Sequence, residues 1–291
     1  MSPHWPKVLI ANIVFISIGV FLLTPAINLY LAVHPERVSS LVTPKSYGLP
    51  YEDVWFMTAD DVRLSGWYVP KQDEPGEAAV IVLHGYPASK GDLVARAAFL
   101  AKDYNLLFVD FRYFGQSAGS MTTVGATETE DLLAAVRLLK ARGMKKIGVY
   151  GFSLGGSVAL MTLPLTKEID AVVSEGAYAS LCLVAEQLYR PTVFLKKPLA
   201  WLTCQYAKVL VPVDPFKVSP TDAVAGTTTP ILLIHAQNDD VVPFQHAQLL
   251  QQALKDDARA EFEFTSGGHG LAPDDFGAKV SAFFGRYLQT K

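Results

Sequence analysis

The residues best suited to chemistry lie in Gly151-Phe152-Ser153-Leu154-Gly155. An apolar run, Ile147-Gly148-Val149-Tyr150, leads into this pentapeptide, and small residues open a helix-like stretch after it. At a strand-to-helix turn, Gly-x-Ser-x-Gly presents a serine hydroxyl as a nucleophile, and the flanking glycines leave room where a Cβ would strike the crossing strand or helix. Gly and Ser are common, so the pentapeptide alone also fits a helix cap at a tight turn. A serine nucleophile needs a general base, a group that orients the base, and donors for the developing oxyanion. Asp239 follows the apolar run Ile231-Leu232-Leu233-Ile234. His269 lies in Ser266-Gly267-Gly268-His269-Gly270, where glycines let a loop carry an imidazole over the serine. Asp240 and Glu175 are the rival carboxylates near strand ends. The bland readings of Asp239 and His269 are a turn residue and a surface-loop histidine. His84, His235 and His246 read as non-catalytic.

The elements that must hold these groups alternate between strand and helix. Residues 54–58 and 62–69 alternate in polarity around Ala59-Asp60-Asp61, a hairpin signal. Residues 78–83, 106–110, 171–174 and 231–234 are continuously apolar or nearly so, as strands buried on both faces should be. Residues 92–102 read as helical, and 127–142 place Leu132, Leu133, Val136 and Leu139 at helical spacing before Gly143. Residues 261–264 alternate and make a marginal strand. The pattern predicts a mostly parallel sheet with helices on both faces. Residues 178–229, rich in Leu, Tyr, Phe and Trp, exceed a single crossover and read as a helical cap.

With 291 residues, half of them hydrophobic, the chain can bury one large core and carry a small accessory piece. Its 25 basic and 28 acidic residues give a net charge of −3 with no basic stripe, which argues against nucleic acid as a partner. Cys182 and Cys204 are too few for a disulfide framework or a zinc cluster. They read as buried small hydrophobes, with a single bridge as the alternative in an oxidising compartment.

Residues 8–33 contain no charged side chain and as a helix would extend roughly 39 Å, enough to cross a hydrocarbon core of about 30 Å. Pro25 and Asn28 weaken the second half. A cleavable signal peptide is the rival, since Lys7 precedes the run, but the run is long and lacks an Ala-x-Ala site. It lies ahead of the folded region with nothing to pack against. The expectation is therefore an uncleaved anchor over 1–34, a linker over 35–50 and a catalytic domain over 51–291. The charges Lys7, Arg37 and Lys45 leave orientation open.

Together, His84-Gly85 after a strand, Asp110-x-Arg112-x-x-Gly115-x-Ser117-x-Gly119, the Ser153 pentapeptide and the Asp239/His269 pair resemble the α/β-hydrolase superfamily of serine hydrolases. The resemblance runs from Tyr51 to the C-terminus and is closest to bacterial membrane-anchored members of the lipase–esterase and serine aminopeptidase branches. Ala236 and Phe114 depart from it, standing where the family often has glycine. The resemblance implies an α/β-hydrolase fold with a cap, and the chain order Ser153, Asp239, His269 is that of the family's triad. His269 would be the general base and Asp239 its orienter. The backbone N–H groups of Leu154 and Tyr86 would form the oxyanion hole, while Asp110 and Arg112 would brace the site. The implied reaction is acyl transfer to water through an acyl-enzyme, with no cofactor and no metal.

An anchor beside an apolar cap favours a carboxylic-ester or lipid-like acyl substrate. Leu181, Leu183, Leu188, Val193, Phe194, Leu195, Trp201, Leu202 and Tyr206 are candidates for an acyl pocket, or else simply pack the cap or face lipid. A peptidase, a thioesterase and a non-catalytic membrane-tethered binding domain are the alternatives. By analogy with anchored relatives, the catalytic domain is expected on the extracytoplasmic side.

Overall fold

Continuously apolar runs become interior strands, because a strand covered by helices on both faces buries both rows of its side chains. The computed structural model describes residues 5–72, 76–192 and 194–289, so residues 1–4 of the expected anchor and Val193 of the expected cap lie outside the described residues. The strands are β1 (Glu52–Met57), β2 (Arg63–Val69), β3 (Ala78–Leu83), β4 (Asn105–Val109), β5 (Lys146–Phe152), β6 (Ala171–Glu175), β7 (Ile231–Ala236) and β8 (Ala260–Thr265). They form one eight-stranded sheet in the order β1-β2-β4-β3-β5-β6-β7-β8. The β1–β2 hairpin is antiparallel, as is β2 against β4, and every later pairing is parallel. This is the α/β-hydrolase architecture that the motifs imply.

The helices are α1 (Trp5–Val33), α2 (Val94–Ala97), α3 (Glu128–Ala141), α4 (Leu154–Thr162), α5 (Leu181–Val184), α6 (Lys196–Leu210), α7 (Pro220–Ala223), α8 (Gln245–Leu254) and α9 (Phe276–Tyr287). The two-residue period of a strand divides the core between the faces of the sheet. Ala79, Ile81 and Leu83 pack with Leu132, Val158 and Leu250 of α3, α4 and α8. Ala78, Val80 and Val82 pack with Val94, Val280 and Phe283 of α2 and α9. The stretch expected as one helix over 92–102 is instead broken into short 3-10 and α turns.

Helix α1 is long and apolar enough to cross a membrane. The expectation that it has nothing to pack against fails for its C-terminal part. Leu29 and Val33 pack with Ala207 and Val211, and Phe21 packs against Leu199, Ala200 and Tyr189. The reason is tertiary: α6 presents apolar residues that α1 covers together with cap residues such as Tyr189 and Val213. Residues 35–50 also lie along the body of the protein. The Pro35 carbonyl accepts from the Tyr113 hydroxyl (2.8 Å), and the Gly119 carbonyl accepts from Arg37 Nη2 (2.6 Å). Leu49 is buried in the core shared with Trp67 and Val69. Of the two readings the sequence leaves open for the cysteines, buried small hydrophobes or a single bridge, the structure has the bridge: Cys182 and Cys204 form a disulfide with a Cα–Cα distance of 6.1 Å, tying α5 to α6.

Candidate active site

Tight packing at the end of β5 determines the conformation of Ser153. Its backbone sits at φ 53°, ψ −112°, a sparsely populated region costing on the order of 1–3 kcal/mol that the surroundings must offset. They do so by hydrogen bonding and by exclusion. The Ser153 amide donates to the Glu175 carbonyl (2.7 Å) and the Gly155 amide to the His84 carbonyl (3.1 Å). A Cβ on Gly151 would lie 2.3 Å from the Gly155 carbonyl, and one on Gly155 would lie 2.3 Å from the Leu83 oxygen. Those contacts require glycine on both sides of the serine, which is why the motif is readable in sequence. Leu154 begins α4, so its amide has no intrahelical acceptor.

Asp239 and His269 meet from different loops. Asp239 Oδ1 accepts from the amides of Val241 (2.9 Å) and Val242 (2.7 Å), and Oδ2 lies 2.6 Å from His269 Nδ1. Burial alone would raise the pKa of this carboxyl. The hydrogen bonds from His269 and the two amides outweigh burial and hold it below the ordinary carboxylate value. An imidazole that donates from Nδ1 to a carboxylate keeps Nε2 available as a proton acceptor. The His269 ring packs on Phe152, the residue before the serine, with centroids 5.0 Å apart. A Cβ on Gly176 would lie only 3.2 Å from His269 Cε1. Among the described residues, Ser153 Oγ and His269 share no hydrogen bond; the His269 side chain is bonded to Asp239.

The rival groups are occupied elsewhere. The Asp240 side chain is 69% exposed and faces Arg190 (3.6 Å) rather than His269. Glu175 is bound by Arg96 and by the Tyr150 hydroxyl (2.8 Å). Arg96 also donates from Nη1 to the Gly270 carbonyl (2.7 Å), so this partly buried ion pair clamps the loop that carries His269. Sequence reading missed Arg96; a basic residue between Ala95 and Ala97 in an otherwise apolar turn was the available signal. His84 is fully buried, accepts from the Phe111 amide at Nε2 (3.1 Å), and contacts the Gly85 carbonyl through Nδ1 (2.7 Å). Burial keeps it neutral by pushing its pKa down. His235 contacts the Val242 carbonyl (2.8 Å), and His246 accepts from the Ala179 amide (3.0 Å). Asp110 binds the buried Lys90 ammonium (2.5 Å) and the Gln116 amide (3.0 Å), while Arg112 bridges Asp60 and Asp131. These pairs brace the loops beneath the site. Among the described residues, no group of three or more His, Cys, Asp or Glu side chains is placed to hold a metal.

The Tyr86 loop links the serine to the cap. A Cβ on Gly85 would lie 3.4 Å from Ser153 Cβ. The Tyr86 ring packs edge-on to Phe114 with centroids 5.9 Å apart, and Phe114 is fully buried in the core. An apolar cavity of about 440 Å³ opens beside Tyr86 and Val241. Of the sequence candidates for an acyl pocket, Leu181 and Leu188 line it, whereas Phe194, Leu195 and Trp201 are exposed. Tyr206 reaches toward α1, its hydroxyl 3.2 Å from the Leu22 carbonyl. The walls that sequence reading did not foresee come from α1 itself.

The prolyl oligopeptidase family matches residues 114–291. The α/β-hydrolase domain-containing protein WAV2 of Arabidopsis thaliana is 28% identical over 252 residues, covering 82% of this chain and 79% of the relative. The membrane protein YNL320W of Saccharomyces cerevisiae is 24% identical over 234 residues, covering 78% of this chain and 76% of the relative. Among solved structures, the Pyrococcus furiosus esterase Pf2001 superposes with a TM-score of 0.74 at 29% identity, covering 89% of this chain and 99% of that one.

Proposed function

This chain belongs to the prolyl oligopeptidase family within the α/β-hydrolases, and from that premise we propose that it is a membrane-anchored serine hydrolase cleaving carboxylic esters through an acyl-enzyme. The observation that carries the reading is the Asp239–His269 hydrogen bond of 2.6 Å beside a serine held at positive φ. Ser153 Oγ attacks the ester carbonyl as His269 takes its proton. Asp239 holds the imidazole and stabilises its cation, and the protonated His269 then releases the alcohol. The amides of Leu154 and Tyr86 receive the oxyanion, each such donor being worth about 3 kcal/mol in related sites. Water, deprotonated by the same histidine, resolves the acyl-enzyme.

The esterase Pf2001 is the similar structure that favours an ester, and the apolar cavity beside Tyr86 suits an acyl chain. The family's name favours the second reading, a peptidase. Matched ester, thioester and aminoacyl amide substrates sharing one acyl group separate the readings by kcat/KM, with the ester expected to lead. Labelling with a fluorophosphonate tests the mechanism. Wild type should be labelled and S153A should not, with turnover falling on the order of 10⁴- to 10⁶-fold. A folded wild type that stays unlabelled would instead indicate a tethered binding domain.

We read α1 as an uncleaved anchor, because removing it as a signal peptide would strip partners from the domain. The Tyr86 hydroxyl donates to the Ala32 carbonyl (2.8 Å) and the Thr122 amide to the Val33 carbonyl (3.0 Å). The Cys182–Cys204 bridge favours an oxidising, extracytoplasmic compartment for the catalytic domain.

A further inference from the structure

The cavity beside Tyr86 is built between the catalytic domain and the membrane helix. From α1 it takes Leu29, Ala32 and Val33, and from the cap Val184 and Ala207. Its volume of about 440 Å³ lies in the range of small-molecule sites, roughly 300–1,000 Å³. Two of its walls belong to the site itself. Tyr86 supplies a proposed oxyanion amide and, through its hydroxyl, is bonded to the α1 backbone at Ala32. Val241 supplies an amide to Asp239. An acyl group on Ser153 would therefore have an apolar chamber next to its carbonyl, walled in part by the helix that continues toward the bilayer.

The surroundings indicate where the chamber is filled from. Phe21 of α1 meets the cap at Leu199 and Ala200, and Leu29 and Val33 meet it at Ala207 and Val211, so α1 and α6 run side by side in the same direction. The start of α6 thus lies at the level nearer the apolar N-terminal part of α1. There the cap exposes Phe194 (94%), Trp201 (58%) and Leu195 (47%). The exposed Lys197 lies beside them, while Lys196 is paired with Glu186 (3.3 Å); apolar anchors next to a long basic side chain suit a bilayer interface. Exposed apolar groups of this size are otherwise costly to leave in water.

We propose that α1 is a wall of the acyl-binding subsite as well as an anchor, and that the substrate is a long-chain acyl ester resident in the bilayer, its chain moving along the α1–α6 seam into the chamber. The proposal rests on the ester-hydrolase reading of Ser153, Asp239 and His269. It predicts that the apolar chain, rather than the alcohol portion, dominates selection, each buried methylene raising kcat/KM about fourfold until the chamber is full.

Two measurements on the full chain test it. In the first, A185F and A32F each project a ring into the chamber. The ratio of kcat/KM for 4-methylumbelliferyl dodecanoate to that for the acetate should fall at least tenfold, with fluorophosphonate labelling of Ser153 reporting that the fold is intact. A ratio within twofold of wild type in both variants overturns the subsite. In the second, wild-type protein is reconstituted in phosphatidylcholine vesicles, with 4-methylumbelliferyl oleate placed either in the same vesicles or in a separate population. Turnover at least tenfold faster from shared vesicles supports supply through the bilayer, and equal turnover overturns it. If the acetate is cleaved while both tests go against the chamber, the ester-hydrolase reading stands and this proposal falls. If wild type is not labelled and cleaves neither ester, the ester-hydrolase reading itself fails.

Discussion

At the Ser153 turn a single added methyl would collide with backbone, since a Cβ on Gly151 or Gly155 would lie 2.3 Å from main-chain atoms. Across the cap the situation is reversed. Phe194 and Val209 are 94% and 81% exposed, and an apolar cavity lies beside the seam where the cap packs on the end of α1. The first region constrains the backbone to one conformation and the chemistry to one set of groups. The second offers area and volume, which many apolar sequences can supply equally well. Under the proposed ester-hydrolase reading, the difference teaches that reaction and selectivity are specified by different physics. Steric exclusion and hydrogen bonds hold Ser153 in place, whereas buried apolar area would choose what meets it.

The largest expected effect breaks the contrast on the rigid side. D239N should lower kcat by about 10⁴-fold, because an amide no longer selects the right tautomer of the base. D240N should stay within twofold, since that side chain faces solvent and Arg190. Ester turnover of the two variants, with labelling to report folding, decides between the adjacent aspartates.

Next in size is a packing test. G155A places a methyl against the Leu83 carbonyl, where neither strand nor helix can move without disrupting the sheet. It should cost about 3 kcal/mol, the upper part of the usual overpacking range, read as a lowered midpoint of thermal or denaturant unfolding. At the opposite extreme, W201S on the exposed cap should change stability by no more than about 0.5 kcal/mol. Comparable losses in the two variants would remove the distinction between the regions.

A pH effect sharpens the boundary between them. His246 of α8 accepts a hydrogen bond from Ala179, where the chain leaves the sheet for the cap. Burial, assisted by nearby His235, lowers its pKa from 6.5 to about 4. Held neutral when folded, it binds fewer protons than the unfolded chain at intermediate pH. Its contribution is complete above pH 6.5 and is lost as pH falls toward 4. Between pH 7 and pH 5 the loss should be about 2 kcal/mol. H246N, which keeps an acceptor without a titration, should show a smaller decrease in melting temperature over that interval. An equal decrease would place the acid sensitivity in other groups.

Most of the sheet was legible from sequence because strand burial on both faces leaves continuous apolar runs, and the Ser153 turn was legible because its crowding requires glycine locally. Asp239 and His269 could be nominated for the same local reason, each following a strand and flanked by small or turn-forming residues. The choice among Asp239, Asp240 and Glu175 was not local. Glu175 was removed from contention by Arg96, distant in sequence, whose guanidinium also binds the carbonyl beside His269.

By itself, then, the sequence determined the succession of strands, the serine turn, and an N-terminal helix apolar enough for a bilayer. Each of these follows from short-range sterics or from the periodicity of burial, which a few neighbouring residues encode. Only the tertiary structure decided that Cys182 meets Cys204, that Asp239 rather than its neighbour meets His269, and that the end of α1 lies against the cap and lines the cavity. Those outcomes depend on which distant surfaces come together, and apolar side chains carry no label naming their partners.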